Sequence, residues 1–332
     1  MPLLLNNLSK YRSSLMGIAI IWIVLSHCII GDWLNPVIKY LFCGYGGVGV
    51  DLFLLVSGFG IYFSLSKNKD LGQFLLKRIV RFLPAAPIFI LFCYLAKITS
   101  FHVIVGYLTY MNYWMGIRSF GYLSYAFLCY VLSPIFFDVL NNYLSDVKKQ
   151  ILFILFLLIL TIPFWMDGKI QGVSKVPIFV FGLYMGYYLK NNITITKKAF
   201  SLAVVLSLLS WLLVPLLLYY VFLDIPKYVH NYLLFYTKSL FAPGFCLFVC
   251  FMFSNFDKYK LVNLIVKTFD FLGKRSLEIF LIDSLITTLY KNNFRFFEHI
   301  CLSIVGGILY YFIYHSIKDY IVSKYNKGNT ND

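Results

Sequence analysis

Ten times along the chain, a run of predominantly apolar residues recurs at about the length needed to cross a bilayer. The runs fall at about 13–31, 44–65, 78–98, 120–140, 150–166, 174–190, 199–223, 236–256, 274–291 and 299–322. A hydrocarbon core about 30 Å thick takes about 20 apolar residues of helix. In lipid every backbone polar group must be satisfied within the spanning element itself, which leaves helices or closed barrels. Runs of this length and continuity are helical, so the expected fold is all-α: a polytopic membrane protein of about ten transmembrane helices. Composition agrees. Only 13% of the 332 residues are charged and 60% are hydrophobic, against roughly 25% charged in a soluble globular domain, which excludes an ordinary soluble protein.

The remaining charge is lopsided, with 29 Lys and Arg against 14 Asp and Glu. With ten spans, twenty of the basic residues fall on the side that holds both termini and nine on the other. Basic loops mark the cytoplasmic face, so both termini are expected inside and the net charge of +15 needs no nucleic-acid partner. An eleventh apolar piece, Phe101 to Gly116, is short and interrupted by His102, Asn112 and glycines, and is expected to be re-entrant or interfacial. Lys10 and Arg12 precede the first run with no small-residue cleavage site after it, which reads as an uncleaved first helix. Residues 1–332 read as a single membrane domain with a cytoplasmic tail at 323–332. The seven cysteines show no metal-ligand spacing and read as buried thiols.

Polar residues at membrane depth are expensive and tend to face cavities. His27 closes the first run near its outer end, where an imidazole can serve as general base toward a hydroxyl or simply hydrogen-bond at the interface. Arg12 lies about 22 Å lower on the same helix and some 60° around its axis, close enough to line the same cavity or to act as a positive-inside anchor. The second run opens with Gly44-Tyr45-Gly46-Gly47-Val48-Gly49-Val50-Asp51, whose small residues allow close helix approach. Within it Asp51 is a candidate to orient a base or cap a local break, and Ser57 reads as packing. Arg78 and Arg81 are i and i+3 at the start of the third run, on one face, with planar forks suited to phosphate oxygens or anionic headgroups.

These segments together resemble the acyltransferase 3 family of bacterial membrane O-acyltransferases. The resemblance rests on the histidine ending helix 1, the Gly-Val-Asp-Leu-Phe…Ser-Gly opening of helix 2, and Arg-x-x-Arg…Pro through Pro84. It continues in Tyr122-Leu123-Ser124 with Tyr130-x-x-x-Pro134, in Val176-Pro177-Ile178-Phe179 with Gly182 and Gly186, and in Gly273-Lys274-Arg275-Ser276-Leu277-Glu278-Ile279. The family's helix 1 carries an arginine, ten residues and then the histidine; here the arginine position is Met16, and Arg12, one turn earlier, is expected to take its role. Gly121 stands in place of the family's tryptophan, Asp283 in place of a common histidine, and Lys175 in place of arginine.

The resemblance implies transfer of an acetyl or other short acyl group from acetyl-CoA to a hydroxyl of a cell-surface polysaccharide or its lipid-linked precursor, at a bacterial inner membrane. It implies His27 as catalytic base or transient acyl acceptor, aided by Asp51, and Arg12, Arg78 and Arg81 as contacts for the CoA phosphates. Tyr122, Ser124, Tyr130, Glu278 and Asp283 are the expected substrate-binding residues, with no metal. Partners would be the carbohydrate acceptor and membrane lipid. His102, His230, His299 and His315 are expected to be structural or exposed. A polysaccharide polymerase or a flippase for lipid-linked oligosaccharides is the alternative, and would share the apolar, aromatic-rich, many-span composition.

Overall fold

A computed structural model describes residues 3–28, 47–67, 70–117, 119–144, 146–162, 171–220, 227–290 and 296–328. Gly44, Tyr45, Gly46, Cys43, and the basic residues Lys39, Lys69, Arg118, Lys169, Lys291 and Arg295 lie outside the described residues, as does the end of the tail from 329 onward. Among the described residues there are fourteen α-helices, two short 3-10 helices and no strand.

The helix that fills the centre is α3 (Gly47–Lys67), preceded by α1 (Leu3–Lys10) and α2 (Arg12–His27). It is apolar on all sides, and 78% of its spanning window is buried within the protein, as expected of a helix surrounded by others. Its main neighbours are α2, α9 (Val176–Lys190) and α11 (Lys227–Phe256). Small residues set the α3–α9 contact. A side chain on Gly182 would run into the Leu55 carbonyl, and one on Gly58 into the Phe179 carbonyl, so the two backbones touch directly. Such contact is how helices gain packing energy where no hydrophobic drive separates them from lipid.

Among the described residues, four helices are long and apolar enough to span a membrane: α3, α7 (Gly121–Tyr143), the Ser239–Phe256 part of α11, and the Phe296–Tyr320 part of α14 (Phe296–Gly328). A fifth arises if α4 (Leu71–Phe82) and α5 (Ala85–Leu95) count as one span. The continuous third helix expected over 78–98 is therefore replaced by a pair bent by 43°. Pro84 stands at the break, where its missing N–H removes a helix hydrogen bond and its ring crowds the preceding turn. It stands at the N-cap of α5. α2 is apolar but only 16 residues long. The runs expected at 150–166, 174–190 and 274–291 appear as α8 (Val147–Leu160), α9 and α13 (Ser276–Tyr290), of 14, 15 and 15 residues.

The Phe101 to Gly116 piece forms α6 (Phe101–Leu108) and a 3-10 turn at Asn112–Met115, with Gly116 in the left-handed conformation. Neither is long enough to span. α10 (Lys197–Tyr220) packs along α11. α12 (Lys260–Gly273), which no apolar run foretold, is amphipathic and lies along α2. The six cysteines among the described residues are free; Cys301 is exposed, a departure from the buried-thiol reading, while the other five are buried.

Candidate functional site

α2 carries a basic end and a histidine end, and each opens on its own cavity. At the histidine end, the last turn of α2 packs against α13, which in turn lies along α14. His27 and the fully buried Asp283 of α13 meet there, with 2.6 Å between His27 Nδ1 and Asp283 Oδ2. An ionised carboxylate only accepts, so Nδ1 donates and Nε2 is left as the acceptor nitrogen. The other carboxylate oxygen, Oδ1, accepts from His299 Nε2 at 2.9 Å and from Ser303 Oγ at 3.0 Å, both on α14.

His27 is about one-third exposed, and its exposed side lines a cavity of about 460 Å³. Hydroxyl and aromatic groups dominate the walls, among them Ser26, Tyr113, Tyr122, Tyr125, Ser284 and Thr287. Such a mixture of stacking faces and hydrogen-bonding hydroxyls suits a polar, uncharged ligand.

The other end of α2 borders a cavity of about 500 Å³ lined by Arg12, Lys77, Arg81, Glu278, His315 and Lys318, with Tyr311 and Tyr314 beside them. The Arg12 guanidinium lies over the backbone of Gly60, where any side chain would collide with it. Arg12 Nε is shielded and makes no hydrogen bond, and the same holds for Arg78 Nε. The guanidinium of Arg78 stands 5.0 Å from the Phe74 ring centroid and 5.9 Å from that of Tyr130. Cations gathered with buried donors to spare are the arrangement that takes up an anionic group bearing several oxygens. Glu278 sits 3.9 Å from His315 Nε2, too far for a hydrogen bond.

A small cavity of about 30 Å³ lies between the two. It shares Met16, Arg81, Ser276 and Leu277 with the basic cavity, and Tyr122 and Phe280 with the histidine cavity. The Tyr122 and Phe280 rings meet edge to face at 5.1 Å between centroids, and form the partition between the chambers. Tyr130 donates from its hydroxyl to Ser57 Oγ at 3.3 Å, and both residues line this small cavity.

Several expected roles change with this geometry. Asp51 is fully buried and bonded at 2.6 Å to Lys175 Nζ, so the carboxylate beside His27 is Asp283 and the one expected there belongs to a separate ion pair. Asp283, expected to meet substrate, is enclosed behind His27 with three donors around it. Ser124 is buried and donates to Asn112 Oδ1 at 3.0 Å, and Asn112 Nδ2 in turn donates to the Ser119 carbonyl; Ser124 thus fixes the 112–119 loop and faces neither chamber. Tyr122, Tyr130, Glu278, Arg12 and Arg81 do line the cavities. His299, expected to be near the surface, is only 3% exposed and belongs to the site. Its spacing to Ser303, i and i+4, is the one local signal that could have marked a polar face on that helix. His315 borders the basic cavity, whereas His102 is exposed and bonded to Ser100. The side chain of His230 lies outside the described residues.

Residues 15–315, nearly the whole chain, match the family model for an acyltransferase domain, acyltransferase 3. No curated protein and no solved structure matches the chain.

Proposed function

The chain belongs to the acyltransferase 3 family, and on that footing we propose that it moves an acetyl or other short acyl group from acyl-CoA to a hydroxyl of a cell-surface polysaccharide or its lipid-linked precursor. The observation that carries this reading is the His27–Asp283 pair at the wall of a hydroxyl-rich cavity, with a small cavity between it and a basic one.

In this reading the basic cavity faces the cytoplasm, in keeping with the excess of Lys and Arg expected there. Arg12 and Arg81, which line the cavity, hold the phosphates of the donor, while Arg78, outside the lining and against Phe74 and Tyr130, adds its charge from behind; the pantetheine arm runs past Met16 toward Tyr122 and Phe280. The acceptor sugar enters from the other side and stacks on the tyrosines of the histidine cavity. His27 Nε2 takes the proton of the acceptor hydroxyl as its oxygen attacks the thioester carbonyl. The new C–O bond forms, the C–S bond breaks, and the proton passes to the departing thiolate. Asp283 stabilises the imidazolium that forms in between, as a carboxylate does for any such base. The membrane concerned is the bacterial inner membrane, where cytoplasmic acyl-CoA and exported glycan come closest.

The test is a proton NMR census of O-acetyl groups on purified surface polysaccharide. Cells with the intact gene, without it, and with His27→Ala are compared. Loss of a well-placed general base costs about 10²–10⁴ in rate, so the O-acetyl signal should vanish in both altered strains with polymer length unchanged. Unchanged acetylation with shortened or missing polymer would overturn the reading in favour of a polymerase or flippase.

A further inference from the structure

His299, at the first position of the last apolar run, belongs to none of the motifs that point to the site. It sits on α14, a helix whose spanning window is only 11% buried and which therefore presents most of its surface outward. Two of its polar side chains break that pattern. His299 is 3% exposed and Ser303 is fully enclosed, and both aim at Oδ1 of Asp283. A buried polar side chain on an otherwise outward-facing helix is costly unless it is bonded, and here both are bonded to the same oxygen atom.

A carboxylate has two oxygens and can rotate. Held only by His27, Asp283 would be free to turn about its terminal torsion and to exchange one oxygen for the other. The two donors from α14 occupy Oδ1 and leave Oδ2 as the atom that faces α2. The 2.6 Å bond to His27 Nδ1 is thereby given a fixed direction. Fixing that bond fixes the tautomer, with the hydrogen on Nδ1 and the lone pair of Nε2 toward the cavity. Of the two donors, the imidazole is the larger and stiffer, since the Ser303 hydroxyl can rotate its hydrogen elsewhere.

We infer that His299 is a positioning residue: through Asp283 it sets the orientation and tautomer of His27, making a relay of two imidazoles about one carboxylate that joins α2, α13 and α14. The inference rests on the acyl-transfer reading only for its effect on rate. The relay itself concerns how the side chains are arranged, and it has a readout that needs no turnover.

The full-length chain, labelled with [15N]histidine and held in detergent, is examined by proton–nitrogen NMR, with His27→Asn used to assign the His27 signals. The wild type should show a far-downfield Nδ1 proton for His27 and the Nδ1–H tautomer. His299→Leu should lose that proton signal and give a mixture of tautomers. His299→Gln, which keeps a donor within reach of Oδ1, should retain it. In membrane vesicles supplied with radiolabelled acetyl-CoA, His299→Leu should lower the maximal rate of acetyl transfer about tenfold to a hundredfold, since misplacing a reacting group by about 1 Å costs up to about 10²-fold. The KM for acetyl-CoA should stay within about twofold, and His299→Gln should recover most of the rate. Ser303→Ala, a smaller change, should give the same spectral effect in weaker form. An unaltered His27 signal in folded His299→Leu would overturn the inference, and so would its equal loss in His299→Gln. If the spectra behave as expected while no variant, the wild type included, transfers acetyl, the relay stands and the acyl-transfer reading falls.

Discussion

His27 and Asp283 are 256 positions apart in the chain and 2.6 Å apart in space. The carboxylate is fully buried while the imidazole is part-exposed to a cavity, so one partner is held and the other is presented. That asymmetry is what a general base requires: a fixed orientation on one nitrogen and access on the other.

The first prediction concerns the fixed side. Asp283→Asn keeps the shape but offers His27 an amide, whose N–H favours the tautomer with the hydrogen on the wrong nitrogen. Acetyl transfer in vesicles should fall by about 10²–10⁴ with the protein still present in the membrane in normal amount. An immunoblot alongside the transfer assay checks both.

At the opposite end of α2, Arg12→Gln removes a cation whose Nε has no partner in the protein. A hydrogen bond to a charged group is worth about 1.5–3 kcal/mol, so the KM for acyl-CoA should rise about tenfold or more. The maximal rate should change far less. Titration of acetyl-CoA in the same vesicles separates the two effects.

Between the chambers, Phe280→Ala removes one of the two rings that form the partition. Each methylene admitted to or refused by an apolar pocket is worth about 1–3 kcal/mol. The rate with propionyl-CoA, one methylene longer, relative to acetyl-CoA should therefore rise by about tenfold or more, measured by competition between the two donors.

A stability prediction follows from the α3–α9 contact. Gly182→Val pushes two methyl groups into the Leu55 carbonyl region, and overpacking of this kind costs about 1–3 kcal/mol. Thermal unfolding in detergent should begin several degrees lower than in the wild type, and with no change at either chamber the surviving folded fraction should keep its KM for acetyl-CoA.

The parts of this site that could be read from the sequence are those carried by single elements. His27 ends an apolar run, Arg78 and Arg81 share a helix face, and Tyr122, Tyr130 and Glu278 interrupt spans that are otherwise apolar. Helix periodicity and the cost of burying polar groups make these visible. What escaped was pairing between distant segments. Asp51 and Asp283 are both acidic residues in apolar runs, and nothing local tells which one meets His27 and which meets Lys175. His299 looked like a surface residue because it opens the last span, yet α14 turns its first turn toward α13. Pro84 did announce the break in the third span, but hydropathy averaged across it. α12 was hidden for the opposite reason: Asn263, Lys267, Thr268 and Asp270 interrupt its apolar residues, such as Leu261, Leu264 and Ile265, and keep the average low.

The Asp51–Lys175 pair, 124 positions apart and closed to solvent on both sides, bears on how such a protein can change over time. Losing one partner strands the other as a buried charge, at about 3–5 kcal/mol, whereas exchanging both for apolar groups of similar volume is close to neutral. Loss of charge at either position alone is thus a dead end, and the two codons are tied into one heritable unit. Positions 51 and 175 drift together or stay still, and among relatives their charges should appear and disappear in step.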